Sequence, residues 1–384
     1  MKISADWLIK PSTQLVMQIL LSGGYEAFFV GGCVRNTLFD FQATDIDIST
    51  SATPKRVMEL MSQAGLKTIP TGIDYGTVTV VADKQNYEIT TFRKDIETDG
   101  RRAKVKFSGS VLEDAKRRDF SINAIYSEQD GTILDPLNGI ADIANKRVKF
   151  IGDPHARIKE DYLRILRFFR FLALFGRENE THEIEIAAIN DLRDGLDTIS
   201  AERKSDEILK LFAAPNPQYS IFLMETADIS SKIFDAYDYK SLNNLKELED
   251  RLQVSPCTTR RLAAYTKDNL KSQLRFSNKL AKAHKVLREE AISKKDAAEL
   301  SYRYNEKIAL DSILVRSSLH STEPSKNVYH RIKLGSVAKF PVKSVDLAEY
   351  FSGPKLGKML AYLEQKWIES DFRLSKEVLL STIK

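Results

Sequence analysis

The chain has 384 residues, of which 42% are hydrophobic and 29% charged, and carries a net charge of +5. This length and balance predict a folded protein of two to four domains and exclude a disordered chain, while two cysteines, Cys33 and Cys257, exclude a disulfide scaffold. No apolar run reaches the roughly 18 residues of a bilayer span, the opening MKISADWLIKPSTQ has no signal-peptide core, and a cytoplasmic protein with no membrane association is expected.

Residues 12–22 read as a helix capped by Ser12, with Leu15, Ile19 and Leu20 giving the period. AFFV (27–30) is a short buried strand, after which Gly31-Gly32 turns into a helix from about residue 33. DIDIS (45–49) is a second strand. Thr53-Pro54 opens a helix whose face is Val57, Leu60, Met61 and Ala64 and which Gly65 ends. Residues 76–93 read as a hairpin, 94–109 as a polar, mobile loop, 112–124 as a helix, and Asp130-Gly131 as a further hairpin turn. From Asp153-Pro154 helix follows helix. The pattern is that of an α+β protein with a mixed front and an all-α rear, with boundaries near 150, 215 and 330.

On a strand, residues two apart share a side, so Asp45 and Asp47 face one way while Ile46 and Ile48 face the core. Paired carboxylates make a hard oxygen site suited to Mg²⁺, and two ions about 3.5–4 Å apart can clamp the attacking and leaving oxygens of a phosphoryl transfer. Glu88, between Tyr87 and Ile89, is a third acidic candidate. The competing reading is a solvated strand end with Asp47 capping a turn. Gly31 and Gly32 leave backbone N–H groups open to an anion, and Arg35, one turn on, can reach the same anion. Together these features suggest a nucleoside triphosphate.

EDYLRILRFFRFLALFG (160–176) reads as a largely buried helix carrying Arg164, Arg167 and Arg170 as a slanted row that begins with Glu160 and Asp161. Buried guanidinium is costly unless paired. One reading is an internal ladder with Asp161 bonded to Arg164. The other is a ligand site, because three arginines outnumber two acids. Asp161 only accepts hydrogen bonds and Arg164 only donates. Side by side they match the amine and ring nitrogen of cytosine or adenine and oppose the reversed pattern of guanine and uracil. In EDAKRRDFSINAIY (113–126), Arg117, Arg118 and Asp119 are placed on a helix whose apolar face includes Phe120, Ile122 and Ile125. Further on, Lys267, Lys271, Arg275, Lys279, Lys282, Lys285 and Arg288 recur every three or four residues. On one helix they would form a stripe able to track nucleic-acid phosphates.

GGCVRN…DIDIST, YEITTFRKD, DGRRAKV, KRRDFSINAIY, DPLNGIADI, EDYLRILRFFRF and ISAERKSDEILKLF follow one another in the order of the motifs of the class II tRNA nucleotidyltransferase and bacterial poly(A) polymerase family, which this chain resembles. The tail FPVKSVDLAEYFSGPKLGKMLAYLEQKWIES is similar to that of CCA-adding enzymes. The resemblance implies a nucleotidyltransferase head with a five-stranded sheet over 1–150, a helical neck over 151–215 that recognises the base, a helical body over 216–330 and a helical tail over 331–384 that binds tRNA. It implies that Asp45 and Asp47 bind catalytic Mg²⁺. Gly32, Arg35 and Arg118 hold the triphosphate, and Asp161 and Arg164 read the base with Arg167 and Arg170 in support. The loop near 94–109 serves the switch from C to A. The implied activity is untemplated addition of C, C and A to the 3′ end of tRNA from CTP and ATP. Poly(A) synthesis, partial CC or A addition, or non-catalytic RNA binding are the alternatives. The basic stripe would meet the acceptor and TΨC arm, Lys271, Arg275, Lys279 and Lys282 being its centre, and no protein partner is implied. Three positions depart from the family pattern: Asn36 where Asp is common, Ser121 where Thr is usual, and Ser344 where Gly is expected.

Overall fold

The computed structural model describes residues 1–99, 102–178 and 180–383. The chain divides into two compact units, Met1–Asp235 with Gln273–Arg275, and Ala236–Ser272 with Phe276–Lys384.

In the first unit the strands are β1 (Ala27–Val30), β2 (Ile46–Thr50), β3 (Lys67–Gly72), β4 (Thr77–Ala82), β5 (Gln85–Thr91), β6 (Arg93–Asp99), β7 (Arg102–Phe107), β8 (Tyr126–Ser127) and β9 (Ile133–Leu134). Seven of them form a mixed sheet in the order β3-β4-β5-β2-β1-β8-β9, in which β2 and β5 run parallel. The expected five strands are exceeded at both edges. β3 is polar and carries Pro70, which cannot donate to a ladder, so it is tolerated only as an edge, and its register with β4 shifts beside that proline. At the other edge β9 is two residues long. The core side of the sheet takes Phe29, Ile46, Ile48, Val78, Val80, Tyr87 and Ile89, packed under Val16, Met17 and Leu20 of one helix and Val57 and Met61 of another. The alternation that buries Ile46 and Ile48 is what turns Asp47 to the opposite face.

The segment read as a loop over 94–109 is instead an antiparallel ribbon of β6 and β7, whose tip at 100–101 lies outside the described residues. Its polar composition hid strands that satisfy each other's backbone groups.

The helices of this unit are α1 (Asp6–Ile9), α2 (Pro11–Ser22), α3 (Gly32–Leu38), α4 (Pro54–Gln63), α5 (Val111–Lys116), α6 (Gly139–Ala144), α7 (Pro154–Glu160), α8 (Leu163–Phe175), α9 (Glu183–Leu192), α10 (Ala201–Ala213) and α11 (Gln218–Thr226). Two expected helices are shorter than read. The one over 112–124 stops at Lys116, because the backbone at 119–121 pairs with 149–151 instead: Asp119 O accepts from Ile151 N at 3.0 Å and Ser121 N donates to Lys149 O at 3.1 Å. The one over 160–176 is broken at Asp161, which is extended between α7 and α8. Phe120, Phe150 and Phe168 stack in turn, with centroids 4.8 and 5.8 Å apart, and so tie α8 to this 120/150 crossing.

The second unit is helical: α12 (Tyr239–Arg251), α13 (Thr258–Tyr265), most of α14 (Leu270–Leu274), α15 (Asn278–Ala291), α16 (Ala297–Arg303), α17 (Glu306–His320), α18 (Val328–Val337), α19 (Gly353–Glu369) and α20 (Lys376–Ser381). Ser344 opens a 3₁₀ turn, Ser344–Asp346, in which Lys343 N donates to Asp346 Oδ2 at 2.8 Å. Ser344 is not in the left-handed region, so the missing glycine is no strain. At the centre, Glu249 joins Arg260 at 2.6 Å and Arg261 at 2.8 Å, and Asp311 takes Arg260 at 2.6 Å, with Glu249 and Arg260 only 2% exposed. Breaking a buried pair from one side leaves a charge without its partner. Glu249→Ala is expected to cost about 3–5 kcal/mol, read as a lower urea midpoint for the helical rear of the full-length protein.

Candidate active site

The site is built on the solvent side of β2. Asp47 stands opposite Glu88 in the parallel ladder with β5 and opposite Val30 of β1. Asp45 is exposed, one residue before β2, two residues from Asp47 on the same side. Burial first, then the like charges of Glu88 and Asp45, push the Asp47 carboxyl up to about 6, with Arg118 and Arg35 pulling the other way. Underneath, burial and Asp47 push the Cys33 thiol up to about 12, which leaves it inert. Among the described residues no three His, Cys, Asp or Glu side chains are gathered tightly enough to chelate an ion unaided.

Gly31 sits at φ +70°, and a Cβ there would lie 3.4 Å from Asp47 Oδ2 and 3.6 Å from Arg118 Nη1. The bare backbone thus forms the floor between a carboxylate and a guanidinium. Gly32 begins α3, whose seven residues make a short dipole, so the positive charge at this floor comes chiefly from side chains. Arg118 donates to Ser49 Oγ and Asp114 Oδ2, both at 3.1 Å, and to Tyr126 Oη at 3.2 Å. Burial alone would raise the Asp114 carboxyl, but Arg118 and Arg117 outweigh it and hold it down to about 2. Arg35 donates through Nη1 to Asn123 Oδ1 at 2.5 Å and through Nε and Nη2 to Asn36 Oδ1 at 3.1 and 2.7 Å. Its guanidinium also lies over the rings of Phe171 and Phe175, 5.0 and 4.8 Å from their centroids. Burial and the charge of Arg170 bring it down to about 10. Asn36, to which the sequence assigned no role, therefore aims Arg35 through a neutral amide and leaves its charge uncancelled.

Asp161 and Arg164 line one cavity of about 300 Å³ together with Arg118, Asp119, Arg167 and Arg203. Arg164 N donates to the carbonyl of Asp161 at 3.0 Å, but their side chains are not bonded to each other. Asp161 Oδ2 takes Arg203 Nη2 at 2.7 Å while its Oδ1 accepts from Leu163 N at 3.1 Å. Arg164 Nη1 reaches Glu160 Oε2 at 2.5 Å and the carbonyl of Arg157 at 2.9 Å. The supposed excess of positive charge on α8 is not there either. Arg167 is forked onto Asp119 at 2.7 and 2.5 Å, and Arg170 meets Glu207 at 2.6 Å. Arg167 holds the Asp119 carboxyl well below its usual range despite burial that would raise it. The acids that balance Arg167 and Arg170 come from distant elements, which spacing within one helix cannot reveal. Arg203, Glu207 and Asn123 were missed for the same reason. Ser121 keeps a hydroxyl that donates to Asp142 Oδ2 at 2.5 Å.

The basic stripe is not one helix. Lys271 lies in α14, Arg275 in the turn after it at φ +47°, and Lys279 and Lys282 in α15. Lys271 and Lys282 share a cavity of about 590 Å³ with Lys267, Lys285 and Arg288, whereas Arg275 pairs with Glu202 at 2.7 Å in the other unit. No helix among the described residues is long and apolar enough to cross a membrane.

A family model described as the poly(A) polymerase head domain matches residues 27–149, and one described as the probable RNA and SrmB-binding site of polymerase A matches 184–240. The human mitochondrial CCA tRNA nucleotidyltransferase 1 is 32% identical over 390 residues, covering 96% of this chain and 88% of that protein. The chain belongs to the CCA tRNA nucleotidyltransferase family. A CCA-adding enzyme of Lactobacillus helveticus is 39% identical over 245 residues, 63% of this chain and 59% of that one. The crystal structure of the Bacillus stearothermophilus CCA-adding enzyme in complex with CTP superposes with a TM-score of 0.70 at 26% identity over 94% of each chain. The nucleotidyltransferase head and helical rear implied by the motifs are those of this family.

The crowding at Asp47 has a signed consequence. An acid whose pKa is raised by folding destabilises the fold fully above that pKa, and the cost falls away as pH drops from there toward its unfolded value. For this nucleotidyltransferase, Asp47→Asn is expected to abolish nucleotide transfer and yet to raise the melting temperature in EDTA at pH 8. That gain should shrink as pH falls through about 6. Melts of both proteins from pH 4.5 to 8 check it, and an Asn variant no more stable at pH 8 would refute the crowding.

Proposed function

We propose that this nucleotidyltransferase adds C, C and A without a template to the 3′ end of tRNA, using CTP and ATP and releasing pyrophosphate. The observation that carries the reading is Arg118. It borders Gly31 and Asp47 on one side and lines the Asp161/Arg164 cavity on the other, so one residue spans a phosphate-sized floor and a base-sized cleft.

The donor set fits a hard divalent cation. Asp45, Asp47 and Glu88 are oxygen ligands of one sign on one face, and their mutual repulsion is what such a charge would relieve. Asp45 and Asp47 would hold Mg²⁺, as two ions by the family pattern, and Glu88 would support them. Bound there, such ions acidify the attacking 3′-hydroxyl and offset triphosphate charge. The chain's own residues do the rest. Gly31 and Gly32 leave room for phosphate oxygens, while Arg35 and Arg118 donate to them. The hydroxyl attacks the α-phosphate and pyrophosphate leaves.

Asp161 accepts from the exocyclic amine of C or A, and Arg164 donates to the adjacent ring nitrogen. Uracil and guanine present a carbonyl and a ring N–H there and leave both groups opposed. Arg167 and Arg170 brace α8 through Asp119 and Glu207. The ribbon of β6 and β7 is assigned the change from C to A. In domain terms, 1–150 is the catalytic head, 151–215 the base-reading neck, 216–330 the body and 331–384 the tail. Lys271, Lys279 and Lys282 meet tRNA phosphates and Arg275 joins them if it leaves Glu202. Both cysteines are free thiols, which suits a reducing compartment such as the cytoplasm, though the human relative is named as mitochondrial.

Trimmed tRNA incubated with each labelled nucleotide tests the activity. Addition that stops at CCA is expected, whereas a long A tail from ATP alone would make the chain a poly(A) polymerase. Asp45→Ala is expected to lose transfer while keeping RNA binding. Unchanged activity would remove the acidic face from the chemistry. Asp161→Ala is expected to lower the preference for CTP over UTP and for ATP over GTP by about 100-fold, and an unchanged preference would refute the base-reading role.

A further inference from the structure

A second layer stands behind the base-reading pair. Asp161 is extended at φ −158°, ψ 106°, between the end of α7 and the start of α8. Its carbonyl accepts from Arg164 N at 3.0 Å and so begins α8, while its side chain takes its aim from what packs on it. Two contacts come from one segment, residues 193–203.

The first is Gly195, in the 3₁₀ turn Arg193–Thr198. A Cβ at this position would overlap the ring of Tyr162 at Cγ, Cδ1 and Cε1. Gly195 is not at positive φ, so its backbone would accept alanine and only space forbids it. Overlap at Cγ is not relieved by swinging the far edge of the ring. Tyr162 itself would have to move, and it lies directly between Asp161 and Leu163. The second contact is Arg203, in the first turn of α10, whose Nη2 meets Asp161 Oδ2 at 2.7 Å with both side chains about three-quarters covered, 26% and 20% exposed. The pair fixes one carboxylate oxygen, and Leu163 N fixes the other.

We propose that residues 193–203 are a positioning element for base selection: Gly195 seats Tyr162, and Arg203, on the wall of the cleft, acts by turning Asp161 toward the base rather than by reading the base itself. This rests on the reading of Asp161 and Arg164 as the base readers. Selection between a donor and an acceptor at one point of a base edge depends on the carboxylate being held within a fraction of an ångström. A tilted Asp161 still binds an amine through one oxygen but opposes a carbonyl less. The phosphate-holding arginines are anchored elsewhere, Arg35 on Asn36 and Asn123 and Arg118 on Asp114, Ser49 and Tyr126. Disturbing the seat therefore acts on selectivity ahead of triphosphate binding.

The test uses the full-length protein, trimmed tRNA and the four ribonucleoside triphosphates, with thermal melts alongside. Gly195→Ala and Arg203→Ala are each expected to lower the CTP:UTP and ATP:GTP incorporation ratios by about tenfold or more. Arg203→Lys, which keeps one donor for the carboxylate, should restore part of the ratio. A role confined to stability would slow all four nucleotides alike, so ratios unchanged in both alanine variants overturn the proposal however slow the enzymes become. If Gly195→Ala does not fold, the Arg203 pair decides: recovery by lysine supports the proposal and an unchanged ratio in Arg203→Ala refutes it. A wild-type protein whose ratios survive Asp161→Ala would show that the base-reading assignment has failed, an outcome separate from intact Asp161 dependence with unaffected 193–203 variants.

Discussion

Asp114 is fully buried, and the rest of the site hangs from it. Its two oxygens take Arg117 on one side and Arg118 and Tyr126 Oη on the other, the closest contacts at 2.6, 3.1 and 2.8 Å. A carboxylate in that position is costly unless its charge is answered, and two guanidiniums answer it. In return Arg118 is held rigidly between the sheet face that bears Asp47 and the cleft that bears Asp161. A site that must present a triphosphate to one end and a base to the other needs such a fixed point, and a lysine could not serve, because an ammonium that spent its three donors on Ser49, Asp114 and Tyr126 would have none left for a ligand, whereas the guanidinium has five.

The same logic recurs along α8. Arg164, Arg167 and Arg170 each find an acid, but on α7, on the turn before the 120/150 crossing and on α10 respectively. Arg167–Asp119 and Arg170–Glu207 tie segments distant in sequence, while Arg164–Glu160 closes the break between α7 and α8. Arg167–Asp119 and the ring contacts among Phe120, Phe150 and Phe168 together fasten α8 to the crossing of 119–121 with 149–151.

This explains what the sequence could and could not disclose. The period-two alternation of β2 and the helix-opening glycines are local facts, and Asp45, Asp47, Gly31 and Arg35 were legible from them. The donor and acceptor types of Asp161 and Arg164 singled out that pair, and the family motifs added the role of Arg118. Apart from Glu88 beside Asp47, what escaped was the pairing between segments. The break at Asp161 was invisible because EDYLRILRFF has no proline or glycine to mark it. The helix over 112–124 was overdrawn because the backbone partners of 119–121 lie thirty residues on. The basic run from Lys267 to Arg288 kept a helical period across two turns that interrupt it, since charge spacing alone does not record where backbone hydrogen bonds stop. Asp114, Asn123, Arg203 and Glu207 look like ordinary helix-surface residues until tertiary packing covers them.

Arg35 has one further consequence. It is stripped of much of its water by Phe171 and Phe175, bonded only to amide oxygens, and pressed by the charge of Arg170. The folded protein thus carries an electrostatic debt that a bound polyanion cancels. With Arg35 holding the triphosphate as proposed, folding and substrate binding are coupled through it, and the stability of the first unit rises with triphosphate concentration as RT ln(1 + [L]/Kd). A cell short of nucleotides would hold this enzyme in a looser state than one well supplied.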